Sequence, residues 1–259
     1  MGKKLTVGIL ISGGGTTAEA VIKASKRRKL KDVDFVVISS NPTATGNKRV
    51  KKLGIKPYII DREKYKTHQA FGKDLLALLK KLHVDVISLQ GWLPLIPENV
   101  IDAYKNKIIN QHPGPLDPGR PDFGGKGMST PYRVNCAKIA YSWVTGQDPW
   151  TESVVHFVTK NFDQGDLIRV AKMRLPLTKK KVTIEDLEKN PEKLIKTTYR
   201  IQKRFYPIEH KNVIETIKHF TNGGVSTYIR TKPLVPSQHL RVLEESKNLA
   251  MKLFPPHNL

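Results

Sequence analysis

The sequence predicts an α/β protein with a doubly wound, mainly parallel sheet. Three observations predict it. Short apolar runs alternate with segments of helical periodicity over about the first 110 residues. The first run ends in a glycine-rich turn that opens a helix. The fifth ends in an asparagine and a histidine just before a Pro/Gly loop, where open α/β sheets carry their chemistry.

Residues 5–11 are compactly apolar and read as the first strand. Ser12, Gly13, Gly14, Gly15, Thr16 and Thr17 follow, and residues 18–24, beginning at Ala18, are helical in composition. Glycines let backbone N–H groups approach an anion, and a helix N-terminus adds partial positive charge. The spacing of Gly13, Gly15 and Ala18 matches the dinucleotide fingerprint. That reading needs a ribose-binding carboxylate about twenty positions on. The second strand, residues 33–38, ends instead in Ser39, Ser40 and Asn41, so a smaller phosphate ester fits better than NAD. A tight turn without a ligand is the plain alternative. Asn41-Pro42-Thr43 reads as a turn, residues 48–53 as a basic helix stopped by Gly54, and residues 57–60 as a third strand. Residues 65–82 place Leu75, Leu78, Leu79 and Leu82 at helical spacing. Residues 84–89 are the fourth strand. The loop Gln90-Gly91-Trp92-Leu93-Pro94-Leu95-Ile96-Pro97 is too apolar for a plain surface turn; it packs as core or walls a pocket for a flat ligand. Residues 104–111 read as the fifth strand. Side chains alternate along a strand, so Asn110 and His112 share a face. Pro113 holds His112 extended and removes the next backbone donor.

Residues 115–127 form a long Gly/Pro loop holding Arg120, Asp122 and Lys126. Residues 128–139 predict a helix despite Pro131. Residues 151–159 alternate, 161–166 turn, and 167–175 return, as an edge hairpin would. Thr183 to Asp186 resembles a capping box with Asp as its acid. Residues 193–205 and 207–220 are two amphipathic segments ending at Asn222-Gly223-Gly224, and 225–229 read as one more strand. A basic amphipathic helix spans about 237–254; it covers a dimer partner, docks on its own domain or touches RNA. The expected organisation is a catalytic domain over 1–176, its helical completion over 177–231, and a basic helical tail over 232–259.

Lys and Arg number 45 against 23 Asp and Glu, a formal charge of +22. Such a charge attracts phosphate, a polyglutamyl tail or nucleic acid. The lysines are spread along the chain, with small clusters at 26–31 and 179–181, and no aromatics interleave with them in a recognisable RNA-binding motif. They therefore read as solvated helix faces, with nucleic acid kept as an alternative partner. A single cysteine, Cys136, excludes an internal disulfide framework. No opening segment reads as a signal peptide and no run is long enough to span a membrane, so a cytoplasmic protein is expected. Met1-Gly2-Lys3-Lys4-Leu5-Thr6 matches the loose myristoylation pattern by chance, since it runs straight into a strand. His68, His83, His112 and His156 show no ligand spacing, so no metal is expected.

Three motifs converge: Val7-Gly8-Ile9-Leu10-Ile11-Ser12-Gly13-Gly14-Gly15-Thr16, Asn110-Gln111-His112-Pro113-Gly114-Pro115-Leu116, and Ser153-Val154-Val155-His156-Phe157-Val158-Thr159 leading to Asp163-Gln164-Gly165. Together they make residues 5–176 resemble the formyltransferase superfamily, most closely its purine-synthesis branch, which formylates glycinamide ribonucleotide. The resemblance implies a Rossmann-like formyltransferase fold with a helical C-terminal extension. It also implies formyl transfer from 10-formyltetrahydrofolate to a primary amine. Asn110 and protonated His112 would then donate to the developing oxyanion, His112 would act as general acid, and Asp163 would favour the imidazolium and organise a water relay. By the same likeness the phosphorylated substrate would lie on Gly13, Gly14, Gly15, Thr16, Thr17, Ala18 and Gln202. The folate would lie on Leu93, Pro94, Leu95, Ile96, Asn110, Thr159, Lys160, Asn161, Phe162 and Asp163. The chain departs from the family at Thr17, usually Asn, at Pro94, typically Arg, and at Gln202, where the purine enzymes use Glu; its loop from Gly119 to Gly127 is also longer. Those departures keep other acceptors open, methionyl-tRNA or a nucleotide sugar, as well as a non-catalytic, basic RNA-associated protein on the same fold. The oligomeric state is open.

Overall fold

The computed structural model describes residues 4–128, 130–178 and 181–255. Two lysines of the second cluster, Lys179 and Lys180, lie outside the described residues, as do Met1, Gly2 and Lys3 of the myristoylation match.

Strands β1 (Leu5–Ile11), β2 (Val33–Ser39), β3 (Tyr58–Ile59), β4 (Val86–Leu89), β5 (Ile108–His112), β6 (Trp150–Phe157) and β7 (Leu167–Arg174) form one sheet. Its order is β3-β2-β1-β4-β5-β6-β7. The β1/β2, β1/β4, β2/β3 and β4/β5 pairs are parallel. β6 runs antiparallel to β5, and β7 antiparallel to β6. Val158 N–H donates to the Ile108 carbonyl, and Leu175 N–H to the Pro149 carbonyl, so each bond joins the end of one strand to the start of its neighbour. Helices α1 (Thr16–Lys26), α2 (Thr45–Lys52), α3 (His68–Lys81) and α4 (Glu98–Ala103) fill the first four crossovers. Strand order reverses at β1. Right-handed crossovers then put α1 and α2 on one face and α3 and α4 on the other. The helices pack in those pairs. The doubly wound, mainly parallel sheet expected from the sequence is what forms.

Three elements differ in kind from the sequence reading, and the helix expected over 128–139 runs instead over Pro131–Thr145. The fifth strand begins at Ile108 rather than 104, because residues 98–103 form α4, with Tyr104 at its C-cap. Six residues are too few to show helical periodicity. The two segments around Pro207 are one helix, α7 (Glu192–Thr221). Ile201 and Phe205 before the proline, and Val213 and Ile217 after it, are buried, and that packing outweighs the lost backbone donor. Residues 225–229 contribute only an isolated antiparallel bridge, Leu167 to Tyr228. Elsewhere local signals hold. Thr130 caps α5 (Pro131–Thr145), and Pro131 sits at its start, where a missing N–H costs nothing. Thr183 and Asp186 form a full capping box on α6 (Ile184–Lys189). The tail helix α8 (Leu240–Leu253) docks on α5. Among the described residues no helix is long and apolar enough to cross a membrane.

The chain divides into two compact units. One holds residues 1–111, 155–161 and 213–226; the other holds 112–154, 162–212 and 227–259. Leu10, Phe71, Leu75, Leu79, Ile87 and Ile108 anchor the core of the first. Phe123, Tyr141, Leu194, Phe205, Leu243 and Leu249 anchor the second.

Inside the second core lies a cation. Lys138 is fully buried, 5.4 Å from the ring centroids of Phe123 and Tyr141, and its Nζ reaches Ser142 Oγ at 2.8 Å, the Asp148 carbonyl at 2.7 Å and the Asp148 carboxylate at 2.9 Å. Burial holds its ammonium below the usual lysine range, against the pull of Asp148. A lysine whose folded-state pKa is depressed binds fewer protons in the native than in the unfolded chain between that value and 10.5. Stability contributed by this residue therefore rises with pH through that window. Lys138→Met is expected to fold with stability within about 2 kcal/mol of wild type, since Asp148 is open to water and Ser142 still donates to its carbonyl. Thermal melts at neutral and alkaline pH check it: the wild type should gain on the variant as pH rises, and parallel curves would refute the assignment.

Candidate active site

At the carboxyl ends of β1 and β4, where strand order reverses, one hydroxyl joins three segments. Ser12 Oγ lies 2.6 Å from Ser40 Oγ and accepts the Leu93 N–H at 2.9 Å. Gly15, at φ 66°, is the N-cap of α1 and supplies no side-chain cap, so the first N–H groups of the helix have no capping oxygen from it. Gly46 N–H donates to the Gly13 carbonyl at 2.9 Å. A Cβ on Gly15 would lie 2.8 Å from Gly46 Cα, and one on Gly46 would lie 2.7 Å from the Gly13 oxygen. The two backbones touch, which only glycine permits. Gly13 and Gly14 face open space. Thr16, Thr17 and buried Ala18 make the first turn of α1. Ser12, Ser40 and Gly46 are additions to the site residues expected from the sequence; Gly46 lies two residues before the expected start of the basic helix and opens α2 one turn earlier.

The apolar loop after β4 packs in part as core. Trp92 stacks on Phe71, with centroids 6.1 Å apart, and Ile96 is buried. Leu93 and Leu95 are exposed, Leu95 at 60%. Pro94 lies between them, half-buried.

On β5, Asn110 Nδ2 lies 3.2 Å from His156 Nε2, and His156 Nδ1 lies 2.8 Å from the Phe157 carbonyl. A carbonyl only accepts, so the proton is on Nδ1 and Nε2 accepts from the amide. One of the two Asn110 amide hydrogens is thereby engaged, and the plane of the amide is set. His156 was legible as a polar residue in an alternating strand, without its role.

His112 obeys the same logic. It is 4% exposed, and its Nδ1 donates to the Gly114 carbonyl at 3.0 Å. The lone pair of the neutral ring is therefore on Nε2, which makes no hydrogen bond among the described residues and lies 3.9 Å from Asp163 Oδ2. That gap is too long for a direct hydrogen bond and short enough for an ion pair with a protonated ring. Asp163 sits in the left-handed region at φ 55°, a conformation Asp tolerates better than most side chains. Its Oδ2 accepts the Gly125 N–H at 3.2 Å. The turn before it is closed by Thr159 Oγ1 donating to the Asn161 carbonyl. Lys160 pairs with Glu98 and Asp102, and Phe162 is half exposed.

A second carboxylate stands beside this pair. Asp122 is buried, with Oδ1 accepting from Gly124 N–H and Oδ2 from Asp117 N–H, both at 2.8 Å. Burial pushes its carboxyl above the usual range, while its two backbone donors and the His112 imidazole pull the other way. A Cβ on Gly124 would lie 3.2 Å from Asp163 Oδ2 and 3.3 Å from Asp122 Oδ1. Gly124 thus lets two carboxylates approach one backbone.

Gln202 is 1% exposed and engaged at both ends. Its Oε1 accepts from Asn135 at 2.6 Å, and its Nε2 donates to Glu209 at 3.2 Å. Cys136 is buried, and burial pushes its thiol up to about 12, so no thiolate is available as a nucleophile. Among the described residues no cluster of His, Cys, Asp or Glu side chains has the makings of a metal site.

The geometry can be set beside known proteins. A formyl transferase family model matches residues 5–199. The chain is 30% identical over 166 residues to the chloroplastic phosphoribosylglycinamide formyltransferase of Vigna unguiculata, covering 64% of this chain and about half, 49%, of that protein. It is 27% identical to the Dictyostelium discoideum phosphoribosylglycinamide formyltransferase, covering 81% of this chain and 95% of that one. Its fold is similar to the crystal structure of glycinamide ribonucleotide transformylase 1 from Symbiobacterium toebii, with a TM-score of 0.66, 26% identity, and 88% and 95% of the two chains covered.

Proposed function

The chain belongs to the formyl transferase family, and on that premise we propose that it transfers the formyl group of 10-formyltetrahydrofolate to the primary amine of glycinamide ribonucleotide, in cytoplasmic purine synthesis. The observation that carries this reading is the Nε2 atom of His112, buried, without a hydrogen-bond partner among the described residues and opposite the Asp163 carboxylate. The acceptor amine attacks the formyl carbon, and a tetrahedral centre with an oxyanion develops. Protonated Nε2 of His112 donates to that oxygen, and Asp163 stabilises the cationic ring. The second amide hydrogen of Asn110, oriented through His156, is the other donor. As the centre collapses, the bond from carbon to folate N10 breaks. The proton lost by the amine ends on that nitrogen, relayed by His112. No covalent enzyme intermediate is required. The glycine loop from Gly13 to Gly15, with the first turn of α1, is the proposed seat of the acceptor's phosphate. Leu93, Pro94, Leu95 and Ile96, with the turn from Thr159 to Asp163, are the proposed folate contacts.

Incubation with formyl-folate and glycinamide ribonucleotide should release tetrahydrofolate, followed by absorbance. Release with a different amine and none with this one would sink the acceptor assignment. One observation favours including other acceptors: Gln202, which stands where the purine enzymes use Glu, is engaged inside the protein. The screen therefore includes a nucleotide sugar and methionyl-tRNA, whose binding to a chain of charge +22 should weaken steeply with salt.

A further inference from the structure

We propose that Arg230 is a positioning residue for His112, acting through the carbonyl of Leu116, and that the segment around it completes the active site. This rests on reading His112 as the acid of the transfer. The segment lies outside residues 5–199, the part matched by the family model. Arg230 Nε donates to the Leu116 carbonyl at 2.7 Å. Its guanidinium pairs with Glu152, and both side chains are buried. Leu116 ends the stretch His112-Pro113-Gly114-Pro115-Leu116, whose two prolines make it stiff. The middle of that stretch, the Gly114 carbonyl, sets the His112 ring. Holding Leu116 therefore holds the far end of a short rigid lever that carries the imidazole.

The same segment grips the loop behind Asp163. The Arg230 carbonyl accepts from Arg120, whose guanidinium also holds Asp117 at 2.7 Å. Asp117 Oδ2 accepts the Leu234 N–H at 2.7 Å, and Asp117 N–H donates to Asp122. Asp122 fixes Gly124, and the next residue, Gly125, donates to Asp163. Both partners of the His112–Asp163 pair are thus tied to one strap, through the same arginine.

Arg230→Ala would strand a buried carboxylate, so the informative variant is Glu152→Met with Arg230→Met, which removes both charges and keeps the volume filled. Lys172, the other partner of Glu152, is exposed and loses little. The double variant is expected to fold, with its melting point lowered only by the Leu116 carbonyl left unpaired. Its kcat should fall about 10- to 100-fold with KM for either substrate within about twofold, as a misplaced ring predicts. The ring carbon–proton NMR signals of His112, recorded at fixed pH, should shift. Ring signals that stay in place overturn the proposal, as does an unchanged kcat in a protein whose wild type is active. A wild type inactive on every amine tried, with ring signals that still shift in the variant, removes the reaction and leaves the positioning role standing.

Discussion

Alanine in place of His112 is expected to leave the protein folded and to cut formyl transfer by about 10²- to 10⁴-fold. The ring is buried, yet among the described residues its Nε2 makes no hydrogen bond and its Nδ1 holds only the Gly114 carbonyl. Truncation therefore leaves one buried acceptor unpaired, a cost of about 1–3 kcal/mol that a core of this size can bear. The catalytic loss is of another order, because the proton and the oxyanion contact disappear together. The contact forms only as the tetrahedral centre develops, so kcat should carry the loss and KM should change little. Single-turnover assays with circular dichroism melts on the same samples check both halves. Activity within a few-fold of wild type would remove His112 from the mechanism.

Legibility of this site follows the range of the forces that build it. The glycine turn after β1, the stop at Gly54 and the box at Thr183 are local, a matter of φ, of one missing Cβ or of one side chain reaching three residues along. They can be read from neighbours alone. The strand end at Asn110 and His112 is legible because alternation and Pro113 are local too. The helix α4 is missed because six residues carry no period, and Pro207 misleads because burial of Phe205 and Ile217 outweighs it. The approach of Asp163 to His112 was an expectation from family likeness, since no local rule links positions fifty-one apart. Asp122 and Arg230 escape for that reason without the likeness to help. Asp122 reads as a turn residue until its two backbone donors are seen, and Arg230 is one of many exposed-looking cations in a basic chain. Gln202 shows the converse. The family likeness implies a substrate contact there, while its amide is engaged within a buried network with Asn135 and Glu209.

Asp163→Asn isolates charge from shape at the centre of the mechanism. Asn tolerates the left-handed backbone at φ 55° as well as Asp does, so the turn should survive. The Gly125 N–H can still be accepted by the amide oxygen, which fixes which way the new side chain faces. That oxygen takes the place of Oδ2, the atom 3.9 Å from His112 Nε2, so an uncharged oxygen stands where the carboxylate charge stood. The substitution thus keeps the shape and removes the carboxylate that stabilises the cationic ring. That loss works against the protonated form that must face the oxyanion. A fall in kcat of about 10²- to 10³-fold is expected, with melting unchanged and KM for formyl-folate within a few-fold. Asp163→Ala should lose about as much kcat and some stability as well, because Gly125 N–H then has no side-chain acceptor. If Asn retained most of the activity while Ala lost it, the carboxylate would be serving only as a hydrogen-bond acceptor for the loop, and the charge opposite His112 would have no part in the transfer.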